Sequence, residues 1–193
     1  MTSDAELIAR SLAGDADAFV EVVSRHEVAI GAYLARRAGS ETAEDLLGDV
    51  WVAAFAARKT YDPAYPDARP WLYTVAANRL RGYWRSRQGE DLVPDVTDLT
   101  GGLSTGWDPW PTVETRVDAR AVLRGALTGL KPAEREVLTL VAGEDLTVAE
   151  AARVLEMPAG TARRLLHQAR AALRNTPEVA ALLMELNSVK ESR

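Results

Sequence analysis

The chain has 193 residues, of which 47% are hydrophobic, and it carries a net charge of -5 with no cysteine and only two histidines. This composition supports packed cores and excludes a chain disordered throughout, and the lack of cysteine excludes disulfides and thiolate metal sites. His26 and His167 have no acid at a recognisable metal-ligand spacing and no apolar run could span a bilayer, so we expect no metal, no cofactor and no membrane insertion.

The N-terminal segment is acidic and lacks the basic and apolar regions of a signal peptide, so we expect a cytoplasmic protein. Ser3 and Glu6 have the spacing of a capping box that opens a first helix, and Asp15 is predicted to cap the next one. Apolar residues at helical spacing then predict a long second helix that ends near Gly39, with Ser40 capping a third.

The third predicted helix has an apolar side and an acidic side. Its buried stripe is predicted to contain Leu47, Val50, Trp51 and Ala54. Glu44, Asp45 and Asp49 lie on another side. Asp45 and Asp49 are like charges one turn apart, which is an unfavourable pair in an isolated helix. A basic partner surface would explain this pair, and a solvated acidic face is the alternative.

The loop after the third helix is rich in aromatic and polar side chains. Pro63 and Pro66 stiffen it. Its predicted tips are Tyr61, Asp62 and Tyr65. The sequence fits a rigid pocket beside the following helix, and a plain surface connection is the alternative.

A basic and aromatic helix is predicted over residues 69–87, which contain five arginines, four aromatic residues and no acid. Its core-facing residues are predicted to be Leu72, Val75, Ala76, Leu80 and Tyr83. Its exposed row is predicted to contain Thr74, Asn78, Arg81 and Arg85. Because arginine attracts phosphates and aromatic faces stack on unpaired bases, this helix suits single-stranded nucleic acid. A solvated arginine face is the alternative.

Residues 88–115 have the glycine, proline and polar composition of a linker and hold six acids without a lysine or arginine. They divide the chain into two halves. The rest of the chain keeps 22 of the 28 acidic residues against 23 basic ones, so its folded parts are close to neutral. We therefore expect the isolated chain to bind duplex DNA weakly.

The C-terminal half is also helical by pattern. Pro132 starts a helix that stops at Gly143. Thr147 and Glu150 form a second capping box, which opens a short helix that ends at Leu155. A tight turn containing Gly160 precedes a last long helix. The predicted buried side of that helix contains Ala162, Leu165, Leu166, Ala169 and Leu173.

The exposed stripe of the last long helix is basic and contains Arg163, His167, Arg170 and Arg174. A short helix, a tight turn and a basic helix predict a helix-turn-helix, with the second helix placed for the major groove. A purely structural helical hairpin is the alternative. Thr176 and Pro177 then predict a short amphipathic helix that either packs on this domain or offers an apolar face to a regulator.

The order of the two helical halves, with an acidic linker between them, resembles that of bacterial sigma factors of the extracytoplasmic-function (ECF) group. The segments that carry the resemblance are 44–51, 71–85, 130–138 and 147–173. The resemblance implies an all-α protein made of a sigma domain 2 at 1–87, an acidic flexible linker at 88–115, a helix-turn-helix sigma domain 4 at 116–174 and a C-terminal helical extension at 175–193. The implied function is promoter-specific transcription initiation, performed by a specificity subunit of RNA polymerase that is not itself an enzyme.

For the first domain, the resemblance implies two binding surfaces. The residues that would dock on the β′ clamp helices of core RNA polymerase are Glu44, Asp45, Gly48 and Asp49. Gly48 stands where glutamine is common in the family. The residues that would recognise and melt the -10 element of promoter DNA are Tyr61, Asp62, Tyr65, Arg69, Trp71, Asn78, Arg81, Trp84 and Arg85.

For the second domain, the resemblance implies recognition of the -35 element by Thr161, Arg163, Arg164, His167 and Arg170. The polymerase β flap is a further implied contact, and an anti-sigma factor is a candidate partner. The acidic linker would mimic RNA in the polymerase cleft. The alternatives are an autonomous helix-turn-helix regulator and, more weakly, a nucleic-acid-modifying enzyme, for which no nucleophile–base pair, glycine-rich phosphate loop or metal cluster is found in the sequence.

Overall fold

A computed structural model describes residues 2–87 and 122–182 of the chain. Within these two ranges every regular element is a helix and no strand forms. The chain divides into two compact units, Met1–Thr105 and Gly106–Arg193. The predicted all-α class with two helical domains is confirmed. The predicted linker at 88–115 lies outside the described residues.

In its described part, residues 2–87, the first unit consists of four helices and a short 3-10 turn. They are α1 (Asp4–Leu12), α2 (Ala16–Ala38), α3 (Ser40–Ala57), the turn Arg58–Thr60 and α4 (Arg69–Arg87). The long helix α2 packs against the other three, and α3 also packs against α4. Buried residues from all four helices form the core. At its centre the rings of Tyr33 and Tyr73 meet edge to face, with 5.2 Å between their centres.

Local capping residues start and stop these helices. Ser3 and Glu6 form the predicted capping box, and the Asp15 side chain caps α2 as predicted. The prediction that Ser40 caps α3 is wrong. Gly39 both ends α2 and precedes α3, because its φ of 78° lies in the left-handed region that glycine adopts without a β-carbon clash. The reversal takes one residue, so Ser40 already lies in the helix.

The second unit contains five helical segments in its described part. They are α5 (122–128), α6 (Pro132–Ala142), α7 (Val148–Val154), α8 (Ala159–Arg174) and α9 (177–182). The long helix α8 packs against both α6 and α7. Their shared core includes Leu138, Ala152, Ala162, Leu166 and Ala169. Thr147 and Glu150 form the predicted capping box of α7, and α7, the turn and α8 form the predicted helix-turn-helix.

The turn between α7 and α8 was predicted to contain Gly160, but α8 already begins at Ala159. The left-handed residue is Glu156, with φ 53°. The N–H of Glu156 donates to Arg153 at 3.1 Å and the N–H of Met157 donates to Ala152 at 2.9 Å, which is the Schellman pattern for closing a helix. This closure reverses the chain before Gly160, which lies in the first turn of α8.

The segment after α8 returns to the body of the second unit. The Thr176 hydroxyl donates to the Ala172 carbonyl at 3.0 Å, so this side chain is bound to the end of α8. Val179 of α9 is buried. The described part of the predicted C-terminal helix therefore packs on its own domain, while residues 183–193 lie outside the described ranges. Across residues 2–87 and 122–182, no helix combines the length and hydropathy needed to cross a membrane.

Candidate nucleic-acid interface

The acidic side of α3 is exposed, as predicted. Glu44, Asp45, Gly48 and Asp49 all face solvent. Within the described part of the chain, neither Asp45 nor Asp49 has a hydrogen-bond or ion-pair partner, so their mutual repulsion is uncompensated. A β carbon at Gly48 would meet no atom within 4 Å, so the surface is open between the two aspartates.

An exposed apolar residue, Val52, extends this acidic face. Its side chain is 72% exposed, and it lies three residues after Asp49 and seven after Asp45, on the same side of α3. Val52 was not among the predicted residues, although the helical spacing that relates Asp45 to Asp49 also identifies it. Single exposed apolar residues are common on protein surfaces, so Val52 matters through its position beside Asp45 and Asp49, since protein interfaces combine apolar and charged groups.

The buried stripe of α3 differs in part from the prediction. Val50 and Ala54 are buried as expected, but Leu47 and Trp51 are only half-buried. Ala43 and Leu46 are buried in addition to the predicted pair. The difference arises because α3 packs against two helices, α2 and α4, so its core side is turned toward the contact between them.

The four residues predicted to form an exposed row lie along the basic side of α4. Asn78 and Arg85 are exposed as predicted, but the predicted exposure of Thr74 and Arg81 is wrong, because both are half-buried and the Thr74 hydroxyl donates to the Pro70 carbonyl at 2.9 Å. The Arg81 guanidinium donates to the Asn78 side-chain oxygen at 2.5 Å, so these two groups act as one polar unit. Arg79, which the prediction left out, is also exposed beside Asn78. Arg85 therefore presents its charge most openly among the predicted residues of this row.

Aromatic residues flank this basic row at its C-terminal end. The half-buried rings of Tyr83 and Trp84 meet edge to face with 4.9 Å between their centres, and the Arg87 guanidinium lies over the Tyr83 ring at 5.2 Å. The predicted core of α4 holds for Leu72, Ala76 and Leu80, while Val75 and Tyr83 are half-buried. Tyr73 and Ala77 are buried instead, since Tyr73 packs on α2.

The loop before α4 exposes two of its three predicted tips. Asp62 is exposed and Tyr65 is 46% exposed. Tyr61 is buried, so its predicted place at a tip is wrong. Its ring packs edge to face on the half-buried Trp71 with 5.4 Å between centres, and its hydroxyl donates to the Tyr65 carbonyl. Burial, helped by the charges of Asp4 and other nearby carboxylates, raises the pKa of Tyr61 to about 12.

The end of this loop is joined to α4 by Asp67. Its carboxylate accepts the Arg69 backbone N–H at 2.9 Å and the Arg69 Nε–H at 2.9 Å. The predicted -10 residue Arg69 is thus held in place by an acid two residues before it. An arginine fixed in this way keeps its charge at one position beside the loop.

The same loop end is bound by a buried polar cluster that the sequence analysis missed. Asp4 and His26 are 6% and 8% exposed, and the His26 Nε2 lies 2.7 Å from the Asp4 carboxylate. That carboxylate also accepts from the Ala68 N–H at 3.0 Å and from Arg25 at 3.0 Å. No spacing rule could have found this cluster, because its members lie far apart in the sequence.

Asp4, His26 and Asp67 also lie close enough together for their side chains to share a metal ion. Among residues 2–87 and 122–182, no other group of three such side chains does. Their oxygen atoms already accept hydrogen bonds from the loop backbone, from Arg25 or from Arg69. The group therefore forms an internal hydrogen-bond network. Burial alone would raise the pKa of Asp4, but the hydrogen bonds from His26 and Ala68 and the nearby positive charge lower it to about 2.

We expect Asp4 to make folding stability depend on pH in the acid range. Its pKa falls from the usual 3.8 to about 2 on folding, so its contribution is complete above about pH 4 and is lost as pH falls through about 2. The Tm difference between wild type and Asp4→Asn should therefore be largest above pH 4 and shrink toward pH 2. Thermal melts followed by circular dichroism measure it, and a difference that stays constant over this range contradicts an ionised Asp4.

The second unit presents its predicted basic stripe on α8. Arg163, Arg164, His167 and Arg170 are all exposed, and Thr161 is half-buried at the start of the helix. The opposite side of α8 is buried through Ala162, Leu166 and Ala169, while Leu165 and Leu173 are half-buried. The helix contains no acid, so the whole exposed side is neutral or basic. This arrangement is suited to the phosphates and base edges of the major groove.

Two family models match the two units separately. Sigma-70 region 2 matches residues 22–90, and Sigma-70 region 4 matches residues 126–175. The chain is also 34% identical over 182 residues to RNA polymerase sigma factor CnrH of Cupriavidus metallidurans, with 89% of this chain and 92% of CnrH covered.

The chain belongs to the ECF group of sigma factors. It is 30% identical over 132 residues to the ECF RNA polymerase sigma factor SigM of Bacillus subtilis, with 68% of this chain and 77% of SigM covered. The solved structure of CnrH in complex with the cytosolic domain of CnrY resembles this sigma factor with a TM-score of 0.60 and 26% identity, covering 94% of this chain and 97% of that chain. Members of this family are DNA-binding transcription initiation factors and not classical enzymes.

This sigma factor directs promoter-specific transcription, as the sequence analysis predicted. The α1 helix lies before the residues matched to Sigma-70 region 2, and so does Asp4. The predicted -10 residues fall within the region 2 match, and the predicted -35 residues fall within the region 4 match. The individual roles of these residues stay predictions.

Proposed function

We propose that α3 recruits core RNA polymerase through its exposed acidic face. The carrying observation is that Asp45 and Asp49 are exposed and have no partner among residues 2–87 and 122–182, with Val52 beside them. Two like charges one turn apart destabilise a free helix slightly, and a basic partner surface turns that repulsion into attraction. The β′ clamp helices are the proposed partner, and Glu44 and Gly48 complete the surface.

The proposed -10 site combines the loop before α4 with the basic side of α4. Asp62 and Tyr65 are accessible at the loop, and Asn78, Arg81 and Arg85 follow along the helix. Unpaired bases would stack on aromatic faces while the guanidinium groups hold the phosphates of the same strand. Tyr61 is buried under the loop and its ring packs on Trp71. Their proposed role is therefore to shape the site and not to contact bases directly. Binding energy for the open strand would favour melting.

The proposed -35 site is the exposed side of α8. The N-terminal residues of a recognition helix reach base edges, which assigns base contacts to Arg163, Arg164 and His167. Arg170 lies further along the helix and would contact phosphate. Thr161, at the helix start, would contact the DNA backbone.

Further partners follow from the family. The CnrH structure contains a bound protein, the cytosolic domain of CnrY. We propose an anti-sigma factor as a regulator of this chain too, and the polymerase β flap as the contact of the second unit. The chain itself would catalyse no reaction and would work in the cytoplasm, where bacterial RNA polymerase acts. The domain limits 1–87, 88–115, 116–174 and 175–193 remain part of this proposal.

Reconstituted transcription tests the proposed function. Core RNA polymerase with the purified chain should select, from a randomised duplex library, DNA that contains two separated elements and should initiate at fixed sites, whereas core alone should not. The free chain should bind the selected duplex weakly in a mobility shift, because its folded parts carry little net charge. Tight, sequence-specific binding by the free chain would favour the autonomous regulator instead.

A further inference from the structure

We infer that Asp4 and His26 are positioning residues for the loop before α4, residues 61–68, and fix the backbone position in which this part of the proposed -10 site meets the promoter strand. This inference rests on the proposed role of that loop. Neither side chain is placed to touch DNA, since both are buried. Their effect on promoter recognition would pass through the backbone of residues 66–68.

Asp4 forms two hydrogen bonds with the C-terminal end of the loop, residues 66–68. Its backbone N–H donates to the Pro66 carbonyl at 3.1 Å, and its carboxylate accepts the Ala68 N–H at 3.0 Å. These two bonds lie on either side of Asp67, the residue that fixes Arg69. Rotation of the loop about its C-terminal end therefore requires breaking a bond to Asp4. The loop is thereby coupled to α1, a helix outside the region 2 match.

His26 and Arg25 hold the Asp4 carboxylate in turn. His26 lies 2.7 Å from one carboxylate oxygen, and Arg25 donates to the other at 3.0 Å. Arg25 also donates to the Thr2 carbonyl at 2.8 Å and pairs with Glu21 at 3.0 Å. A carboxylate can accept all three of its donors, but an amide presents only one acceptor oxygen and turns a donor toward one of them. The geometry therefore requires aspartate at position 4.

Tyr61 is a second anchor for the loop, next to its exposed residues. The Tyr61 hydroxyl donates to the Tyr65 carbonyl, and its ring packs on Trp71. Tyr61 thus holds the backbone of Tyr65, and Asp4 holds the following residues 66–68. Two anchors in a short loop leave little freedom at Asp62 and Tyr65. Base selection depends on such fixed geometry, and small displacements of a binding group weaken discrimination sharply.

The test measures base preference in the assembled holoenzyme. Single-stranded DNA oligonucleotides carrying the -10 segment selected by the wild-type holoenzyme, with each of the four bases in turn at every position, serve as the probe. We expect wild type to prefer one base at one or more positions by about tenfold or more, and Asp4→Asn to reduce this preference to about threefold or less. The affinity of Asp4→Asn for core polymerase should equal that of wild type.

A matched control separates positioning from helix stability. Glu6→Gln removes a charge from the same first turn of α1 and weakens its capping box without touching the loop, so it should keep the wild-type base preference. If Asp4→Asn yields no holoenzyme, the His26 variants decide, because His26→Gln keeps an N–H donor and should retain preference that His26→Leu loses. If His26 only filled space in the core, His26→Gln would not retain more base preference than His26→Leu.

Two results would overturn the inference. The first is a wild-type preference in Asp4→Asn holoenzyme or, where that variant does not assemble, in His26→Leu. The second is a loss in Glu6→Gln equal to that in Asp4→Asn. A wild-type holoenzyme that shows no preference at any position of the single strand would instead count against the proposed function of the loop.

Discussion

Asp49→Arg should abolish competition for core RNA polymerase while leaving the fold intact. Asp49 is exposed and has no partner in the described part of the chain, so its replacement breaks no internal contact. At a basic docking surface, the change removes an attraction and adds a repulsion, and like charges placed across an interface are strongly unfavourable. We expect Asp49→Arg to bind core polymerase at least about a hundredfold more weakly than wild type. Each tenfold loss of affinity corresponds to about 1.4 kcal/mol of binding free energy.

The same substitution should leave stability unchanged or raise it slightly. The introduced arginine would follow Asp45 by four residues, which converts a repulsive pair into an attractive one of about 0.2 to 0.5 kcal/mol. A variant that gains stability while losing its partner identifies a surface kept for binding. Urea unfolding gives the stability, and displacement of a labelled reference sigma factor from core gives the affinity.

Glu27→Arg is the matched control for this experiment. Glu27 is an exposed acid in the middle of α2, so its replacement makes the same change in net charge on the same unit. It should compete for core as well as wild type does. Equal competition by Asp49→Arg and wild type would remove α3 from the docking surface, and an equal loss in Glu27→Arg would show a general charge effect.

Features that depend on local interactions were predictable from the sequence. The capping boxes at Ser3 and Thr147 form as predicted, because each needs only two residues three positions apart. The exposed stripes on α3 and α8 follow from helical periodicity in the same way, whereas the predicted row on α4 is exposed only at Asn78 and Arg85. These signals were sufficient for the helices and for the surfaces that carry charge.

Features that depend on contacts between distant segments were not predictable. Tyr61 is buried because Trp71 and the loop close over it, while its own neighbours suggest an exposed tip. The Asp4–His26 pair joins positions 22 residues apart, and Ala68 lies 64 residues from Asp4. The start of α3 was also misplaced by one residue, because Gly39 and not Ser40 precedes the helix. Glycine can adopt a left-handed conformation, but the sequence does not say which residue the chain will use, as Glu156 shows.

The two basic helices should differ in the kind of DNA each handles. Arg163 of α8 is exposed at the N-terminal end of the predicted recognition helix, so Arg163→Ala should lower -35 occupancy. Loss of a base-reading arginine costs about 1 to 3 kcal/mol, or about 5-fold to 150-fold in affinity. Transcription from a template with a pre-melted bubble should be largely unchanged. Footprinting of the holoenzyme on duplex promoter and run-off transcription on both templates measure the two effects.

Arg174→Ala is the control for α8. Arg174 is an exposed arginine on the same helix, and eleven residues of helix place it about 16 Å from Arg163, away from the end that reaches the bases. It should therefore keep nearly the wild-type occupancy. A loss equal to that of Arg163→Ala would indicate general phosphate attraction in place of base readout.

Alanine variants of α4 should show the opposite pattern. Asn78→Ala, Arg81→Ala, Trp84→Ala and Arg85→Ala holoenzymes should still occupy the promoter, but thymines at the -10 element should react less with permanganate because less strand is open. Arg85→Ala is the sharpest of the four, since Arg85 is exposed, whereas Arg81 is bound to Asn78 and Trp84 packs on Tyr83. A pre-melted bubble supplies the open strand and should restore part of the lost transcription. If Arg85→Ala and Arg163→Ala lost equal activity on duplex and bubble templates, the two helices would not divide location from opening.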